Sequence, residues 1–308
     1  MSRYIVEFMA RFSGVSHGRI GTKRLAVLIA LTALLAAPGS ALAAAPIAIV
    51  AAENFYGDVA QQIGGADVKV TSILNNPDQD PHLFEVSPSV ARAVSGAKIV
   101  IYSGIDYDPW MEKMLAAARS TMRKTIVVAK LIGKKTGDNP HIWYDLSAMQ
   151  ALAKTLTADL SGIDPAHRAD YQSRLAKFLQ SLQPIKTRIA ALHARLAGVP
   201  VTATEPVFGY MLDALGLQSR NQKFQRAVMN NTEPSASAVA HFETDLKTHQ
   251  VKMLVYNSQA SDPIADRMLK LAKESHVPVM GATETQPPGK SYQAWMTSEL
   301  DAVDHALP

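Results

Sequence analysis

Eight apolar residues, Tyr171, Leu175, Phe178, Leu182, Ile185, Ile189, Leu192 and Leu196, recur at alternating spacings of four and three. That period draws one stripe down a helix. Asp164-Pro165 reads as the N-cap and first helical residue, and Gly198 as the stop. The helix so bounded has roughly 30 residues and a length of about 45–50 Å at 1.5 Å per residue. Pro184 falls in its middle and predicts a kink. The same spacing would serve the seam of a dimeric coiled coil, but Gln172, Gln180 and Gln183 stand where such a seam uses ordered charges. The stripe is therefore expected to pack against the chain's own lobes, in a monomer.

On either side of this helix, short β-rich apolar runs alternate with helical stretches. The first series is Ile47 to Ala52, Val68 to Leu74, Lys98 to Ser103 and Thr125 to Ala129; the second is Val199 to Thr204, Val251 to Asn257 and Val277 to Gly281. Such alternation reads as parallel sheets flanked by helices. Ser87-Pro88 supplies an N-cap and first residue for a helix running to about Val94, closed by Gly96. The fold class expected is α/β, with two lobes, each a mainly parallel sheet flanked by helices, joined by one long rigid helix. The expected organisation is a signal peptide at 1–43, an N-terminal lobe at 44–160, the connecting helix at 161–198 and a C-terminal lobe at 199–308.

The leader assignment rests on the apolar run Leu25 to Ala37, which follows Lys23 and Arg24 and exits through Ala41-Leu42-Ala43-Ala44. A membrane-spanning helix needs about 20 apolar residues, and Pro38-Gly39 interrupts this run too early. Cleavage after Ala43 is expected, with the mature chain in the periplasm. Five cations against the single acid Glu7 in the first 43 residues account for the whole formal net charge of +4. The remainder is near neutral, so no nucleic-acid partner is expected. The chain has no cysteine, which excludes disulfides, thiolate metal sites, a cysteine nucleophile and a lipid anchor on a mature N-terminal cysteine. Any metal must be held by nitrogen and oxygen.

Of the histidines beyond His17, six have unremarkable settings. His167 and His193 fall on the long helix, His241 and His249 on or just after a later one, His276 before a strand and His305 near the C-terminus. His82 and His141 differ. Each follows a proline, in Asp80-Pro81-His82-Leu83-Phe84-Glu85 and in Asn139-Pro140-His141-Ile142-Trp143-Tyr144-Asp145, in loops entered from the expected C-terminal side of a strand. Open α/β sheets bind ligands at that rim. Turn chemistry with incidental histidines would give the same dipeptides, and spacing alone leaves both readings open.

The segments DPHLFEVSPS, NPHIWYD and AAENFYGDVAQQIGG resemble the zinc and manganese receptors of bacterial ABC importers, over nearly the whole mature chain. The resemblance implies that His82 and His141 are metal ligands from the N-terminal lobe. It implies two more from the C-terminal lobe, at positions matching Glu205 in TATEPVFGY and Glu284 in GATETQPP. Both glutamates follow expected strands. Glu284 fits the pattern less closely, because the family often has Asp followed by Pro there; it is expected to be the weakest of the four ligands. A helix N-terminal carboxylate favoured by the helix dipole is the plain alternative for Glu205, and a solvated loop acid for Glu284. Asp80, Glu85 and Asp145 read as groups that orient an imidazole or cap a helix, and Tyr256 and Asn257 as strand-end residues with a similar task. The stretch Leu131 to Asn139 lacks the His- and acid-rich loop that several zinc receptors carry.

The function expected is that of a non-enzymatic receptor: one divalent ion, zinc or manganese, is held between the lobes as cargo and passed to an ABC permease. The alternative is a secreted metal-dependent hydrolase using His82-x-x-Glu85 and a Glu205 base. Neither H-E-x-x-H nor G-x-S-x-G occurs in the chain to support it.

Overall fold

The computed structural model describes residues 45–76, 84–260 and 262–307. The leader and His82 lie outside the described residues.

Strand β1 (Ile47–Glu53) leads through α1 (Asn54–Gly64) to β2 (Val68–Leu74). Helix α2 (Pro88–Gly96) precedes β3 (Ile99–Tyr102); α3 (Pro109–Ala117), β4 (Lys124–Val127), the single turn α4 (Val128–Leu131) and α5 (Leu146–Ile163) follow. Next come α6 (Arg168–Ser181) and α7 (Gln183–Leu196). The second lobe runs β5 (Pro200–Ala203), α8 (Gly209–Ala214), β6 (Gln218–Arg220), α9 (Gln222–Met229) and α10 (Ala236–Lys247), then β7 (Leu254–Asn257), α11 (Pro263–Glu274), β8 (Val279–Ala282) and α12 (Tyr292–Ala306).

Both sheets are parallel, with orders β2-β1-β3-β4 and β6-β5-β7-β8. Every residue of β3 is buried, as a strand covered by helices on both faces requires. In each sheet the chain reverses direction around its first strand, so the crevices lie beside the C-terminal ends of β1 and β5. The sequence runs found seven of these strands and missed β6. Its three polar residues, Gln218, Ser219 and Arg220, form an edge strand with no apolar run to mark it.

The long helix is present in two segments. They meet at Leu182, and Pro184 stands in the first turn of α7, where its missing N–H costs no bond. Tyr171, Phe178, Leu182, Ile185, Leu192 and Leu196 are buried, and Leu175 and Ile189 pack against the same core. Gly198 has φ +83 just past the end, the left-handed stop that glycine permits. The N-terminus differs from expectation. Asp164 caps nothing with its side chain; the carboxylate takes His167 Nδ1 at 2.6 Å and Tyr171 Oη at 3.0 Å, and a 3-10 turn, Pro165–His167, precedes α6.

One apolar core runs through both lobes, with Ile49 and Ile101 from the first sheet joined to Val201 and Val255 from the second through Trp143, Tyr144 and Trp295. Tyr144 packs edge-on to Phe208 with centroids 4.8 Å apart and donates to the Thr283 carbonyl at 2.8 Å. Tyr292 donates to the Trp143 carbonyl at 2.8 Å. Asn54 and Gln286 form a reciprocal pair, Asn54 Nδ2 donating to the Gln286 carbonyl at 2.7 Å and Asn54 Oδ1 accepting from the Gln286 backbone N–H at 2.9 Å. Helix α12 also lies along α7, where Arg188 pairs with Asp304 at 2.6 Å.

Candidate metal centre

The loops that leave the C-terminal ends of β3, β5, β7 and β8 meet the segment carrying His141. In that segment, Asn139 accepts from the His141 backbone N–H at 3.1 Å and from its ring Nδ1 at 2.6 Å. The amide of Asn139 cannot be reversed, because its Nδ2 donates to the Pro206 carbonyl at 2.7 Å. The imidazole therefore carries its proton on Nδ1 and presents the Nε2 lone pair, the tautomer a metal ligand needs. Nε2 points at Glu284 Oε2, 4.0 Å away, and both side chains are fully buried.

Glu205 follows β5 and precedes Pro206, which holds it extended (φ −141°, ψ 160°). It stands at the N-terminal end of the turn Pro206–Phe208 and makes no side-chain hydrogen bond to that turn. Its Oε2 faces Asn257 Nδ2 at 3.4 Å. The same Nδ2 donates to Glu284 Oε1 at 2.5 Å. Asn257 Oδ1 accepts from the N–H groups of Gln259 and Ala260 at 3.0 and 3.3 Å, which fixes its donor side toward the two carboxylates. Gln259 in turn accepts from the backbone N–H groups of Glu284 and Thr285 at 2.5 and 2.8 Å. Glu284 is thus no solvated loop acid; it is more tightly placed than Glu205.

From the first lobe, Tyr107 donates to Glu284 Oε2 at 2.9 Å. Burial, and then the charge of Glu284, raise the Tyr107 phenol well above its ordinary range, so it stays a donor. The turn before it has three consecutive left-handed residues, Gly104 (φ +77), Ile105 (φ +48) and Asp106 (φ +63). A β-branched residue in that region costs of the order of 1–2 kcal/mol. Asp108 offsets this by accepting from the Ser103 and Gly104 N–H groups at 2.6 and 2.8 Å. A Cβ at Gly104 would meet Val127 Cγ1 at 2.7 Å, a second reason for glycine.

Beneath Tyr107 lies a pair of acids that the sequence reading did not assign. Glu53, at the end of β1, is fully buried beside Asp108. Burial first, and then the charge of Asp108, push it well above the usual carboxylate range. Burial also raises Asp108, to about 7, against the lowering effect of its backbone donors. Both carboxyls therefore take up a proton more readily than an ordinary carboxylate.

Three of the four expected ligands, His141, Glu205 and Glu284, are brought to one rim. Among the described residues they do not by themselves close into a three-donor cluster; Glu205 joins the other two through Asn257. Asn257 has the orienting task expected of it, whereas Tyr256, pointing the other way along the strand, lies over Gly281. Asp145 caps α5 through the Ser147 N–H at 2.8 Å. Glu85 is exposed. The signal for Asn139 was present, since Asn two residues before a histidine is a turn former. Nothing in the sequence marked Tyr107.

A family model described as the periplasmic zinc-uptake complex component A matches residues 49–306. The chain belongs to this family. It is a metal-binding receptor of the ABC-importer class and not an enzyme. That overturns the hydrolase alternative, which also needed the exposed Glu85 as a ligand. Similar relatives include the manganese ABC transporter substrate-binding lipoprotein PsaA of Streptococcus mitis, 23% identical over 302 residues, covering 91% of this chain and 95% of that one. Among solved structures, the periplasmic zinc-binding protein TroA of Treponema pallidum aligns with a TM-score of 0.72 at 17% identity, over 85% of this chain and 99% of that chain. A manganese-bound periplasmic metal-binding protein of Candidatus Liberibacter asiaticus aligns with a TM-score of 0.69 at 19% identity, over 86% and 100%. At these identities the family's two-lobed fold is what the structures share with this chain.

Proposed function

We propose that this chain is a periplasmic receptor that holds one divalent transition-metal ion as cargo, through His82, His141, Glu205 and Glu284, and passes it to an ABC permease. The observation that carries the reading is the His141–Glu284 pair, one group from each side of the interlobe rim, fully buried and with the imidazole lone pair aimed at the carboxylate. An imidazole lone pair and a carboxylate facing each other across a buried gap both present electron pairs, and a divalent ion between them would satisfy both. Two imidazoles and two carboxylates suit a borderline divalent ion. Lobes divided at 44–160 and 199–308, with 161–198 between them, would each supply two ligands. The mature chain is taken to begin at Ala44, to be monomeric and to carry no lipid. Metal analysis of the purified mature protein, with titration of zinc and of manganese into metal-free protein, tests the reading: one ion per chain supports it, and no binding of either refutes it.

A further inference from the structure

We propose that the contacts of Asn139 with Pro206 and Tyr210 form an interlobe latch, which makes retention of the ion depend on lobe closure by deciding which nitrogen of His141 carries the proton. This rests on the receptor reading above. The latch joins two proposed ligands from opposite lobes by short paths: Asn139 stands two residues before His141, and Pro206 directly follows Glu205. Asn139 Nδ2 donates to the Pro206 carbonyl at 2.7 Å, Tyr210 Oη donates to the Asn139 carbonyl at 2.7 Å, and Lys134 Nζ lies 4.7 Å from the centre of the Tyr210 ring. Burial, and then the charges of Asp138, Asp145 and Asp213, push the Tyr210 phenol up to about 12, so it remains a donor. Gly209 permits the close approach, since a Cβ there would stand 2.7 Å from Asn139 Nδ2.

The latch has two states because the Asn139 amide has two orientations. With Oδ1 on His141 Nδ1, the lone pair of the ring is on Nε2 and faces Glu284. In the reversed orientation Nδ2 would donate to Nδ1 of a ring protonated on Nε2, and that N–H would point at Glu284, where the ion belongs. One proton leaves Nδ1 and one is taken up at Nε2, so the charge of the ring is unchanged. While the lobes are closed, reversal sets Oδ1 against the Pro206 carbonyl and Nδ2 against the His141 backbone N–H. Parting the lobes at Pro206 removes the first of these penalties. The latch opens at little cost, because Asn139, Pro206 and Tyr210 line an open cleft of about 350 Å³, where water replaces the lost bonds. A small parting at this edge thus disables His141 without a large movement of the lobes. Asn139 and Tyr210 are positioning residues: they act on the ion through His141.

The test uses the full mature chain with zinc as the probe. Gly209 has ordinary helical dihedrals (φ −55°, ψ −47°), so Gly209→Ala suits its own backbone while the added methyl group displaces the Asn139 amide. Tyr210→Phe removes one hydrogen bond and keeps the ring. In both variants zinc dissociation, followed by transfer to a chromogenic chelator, should be about tenfold faster than in wild type, the factor one hydrogen bond carries. The melting temperature of the metal-free protein should not change. Imidazole nitrogen resonances of metal-free wild type at pH 8 should show His141 protonated on Nδ1, and those of the variants a mixture of tautomers. Wild-type dissociation rates in both variants overturn the proposal, as does a wild-type His141 protonated on Nε2. Faster dissociation with the tautomer unshifted also overturns it, since the contacts would then act by packing alone. Failure of wild type to bind zinc refutes the receptor reading instead.

Discussion

Asn139 Oδ1 lies 2.6 Å from Nδ1 of His141, and this contact decides which nitrogen of the imidazole faces Glu284. The arrangement reaches across the lobes, since Asn139 is itself held by the Pro206 carbonyl through Nδ2 and by the Tyr210 hydroxyl, which donates to its backbone carbonyl at 2.7 Å. Replacing Asn139 by Ala leaves all four proposed ligands in place but frees the ring. Metal affinity should fall about 10–100-fold, the usual cost of removing a group that orients a ligating histidine, with little change in the melting temperature of the metal-free protein. Calorimetric titration of wild type and Asn139→Ala checks this.

The ranking of ligand variants changes once the burial of Glu284 is taken into account. Read from sequence, Glu284→Ala is the mildest because its carboxylate sits in a loop that water can enter. In the fold it is fully buried and held by Tyr107, Asn257 and Gln259. Glu284→Ala should therefore reduce the zinc-induced thermal shift at least as much as Glu205→Ala does. Side-by-side melting curves with equimolar zinc decide the order.

The Glu53–Asp108 pair gives the metal-free protein a distinctive pH dependence. Both carboxyls are raised in the fold, Asp108 to about 7. Between the unfolded carboxylate pKa of about 4 and these folded values, the native state binds more protons than the unfolded state, so stability falls as pH rises. Tyr56, Tyr102 and Tyr107, which feel the charge of the pair, stay neutral in this range because burial raises all three. Glu53→Gln removes one raised group. Its melting temperature should match wild type near pH 4 and exceed it near pH 8, and equal slopes from pH 4 to 8 would count against the assignment.

The lobes should move little when the ion leaves. A continuous core, the Asn54–Gln286 pair and the Tyr144 and Tyr292 bonds tie them together, and α6 and α7 supply no loop hinge. Scattering curves of metal-free and loaded protein should nearly superpose; a change of several ångströms in radius of gyration would contradict this.

The sequence made the fold legible where burial had left a periodic mark. Seven strands were apolar runs, and the stripe from Tyr171 to Leu196 showed both the helix and, through Pro184, its break. It failed at Gln218–Arg220, where an edge strand needs no apolar residues, and at Asp164, whose side chain bonds His167 and Tyr171 and does not cap. At the site, His141 stood out because it follows a proline in a strand-end loop, whereas Glu205 and Glu284 were picked out by the family resemblance, both following strands. Tyr107 was not, since its partner is far along the chain and only the lobe arrangement brings them together. Glu53 was hidden for a related reason: a carboxylate at a strand end looks solvated until the structure buries it.

The central claim is that one ion is held between His141 and the carboxylates across the rim. The most direct measurement is calorimetric titration of zinc into metal-free wild type and into His141→Ala. The account predicts one site in wild type, stabilising the fold by about 4 kcal/mol at a thousandfold excess over Kd, and loss of that site in the variant with the metal-free melting temperature preserved. One-site zinc binding of unchanged affinity in His141→Ala would contradict it.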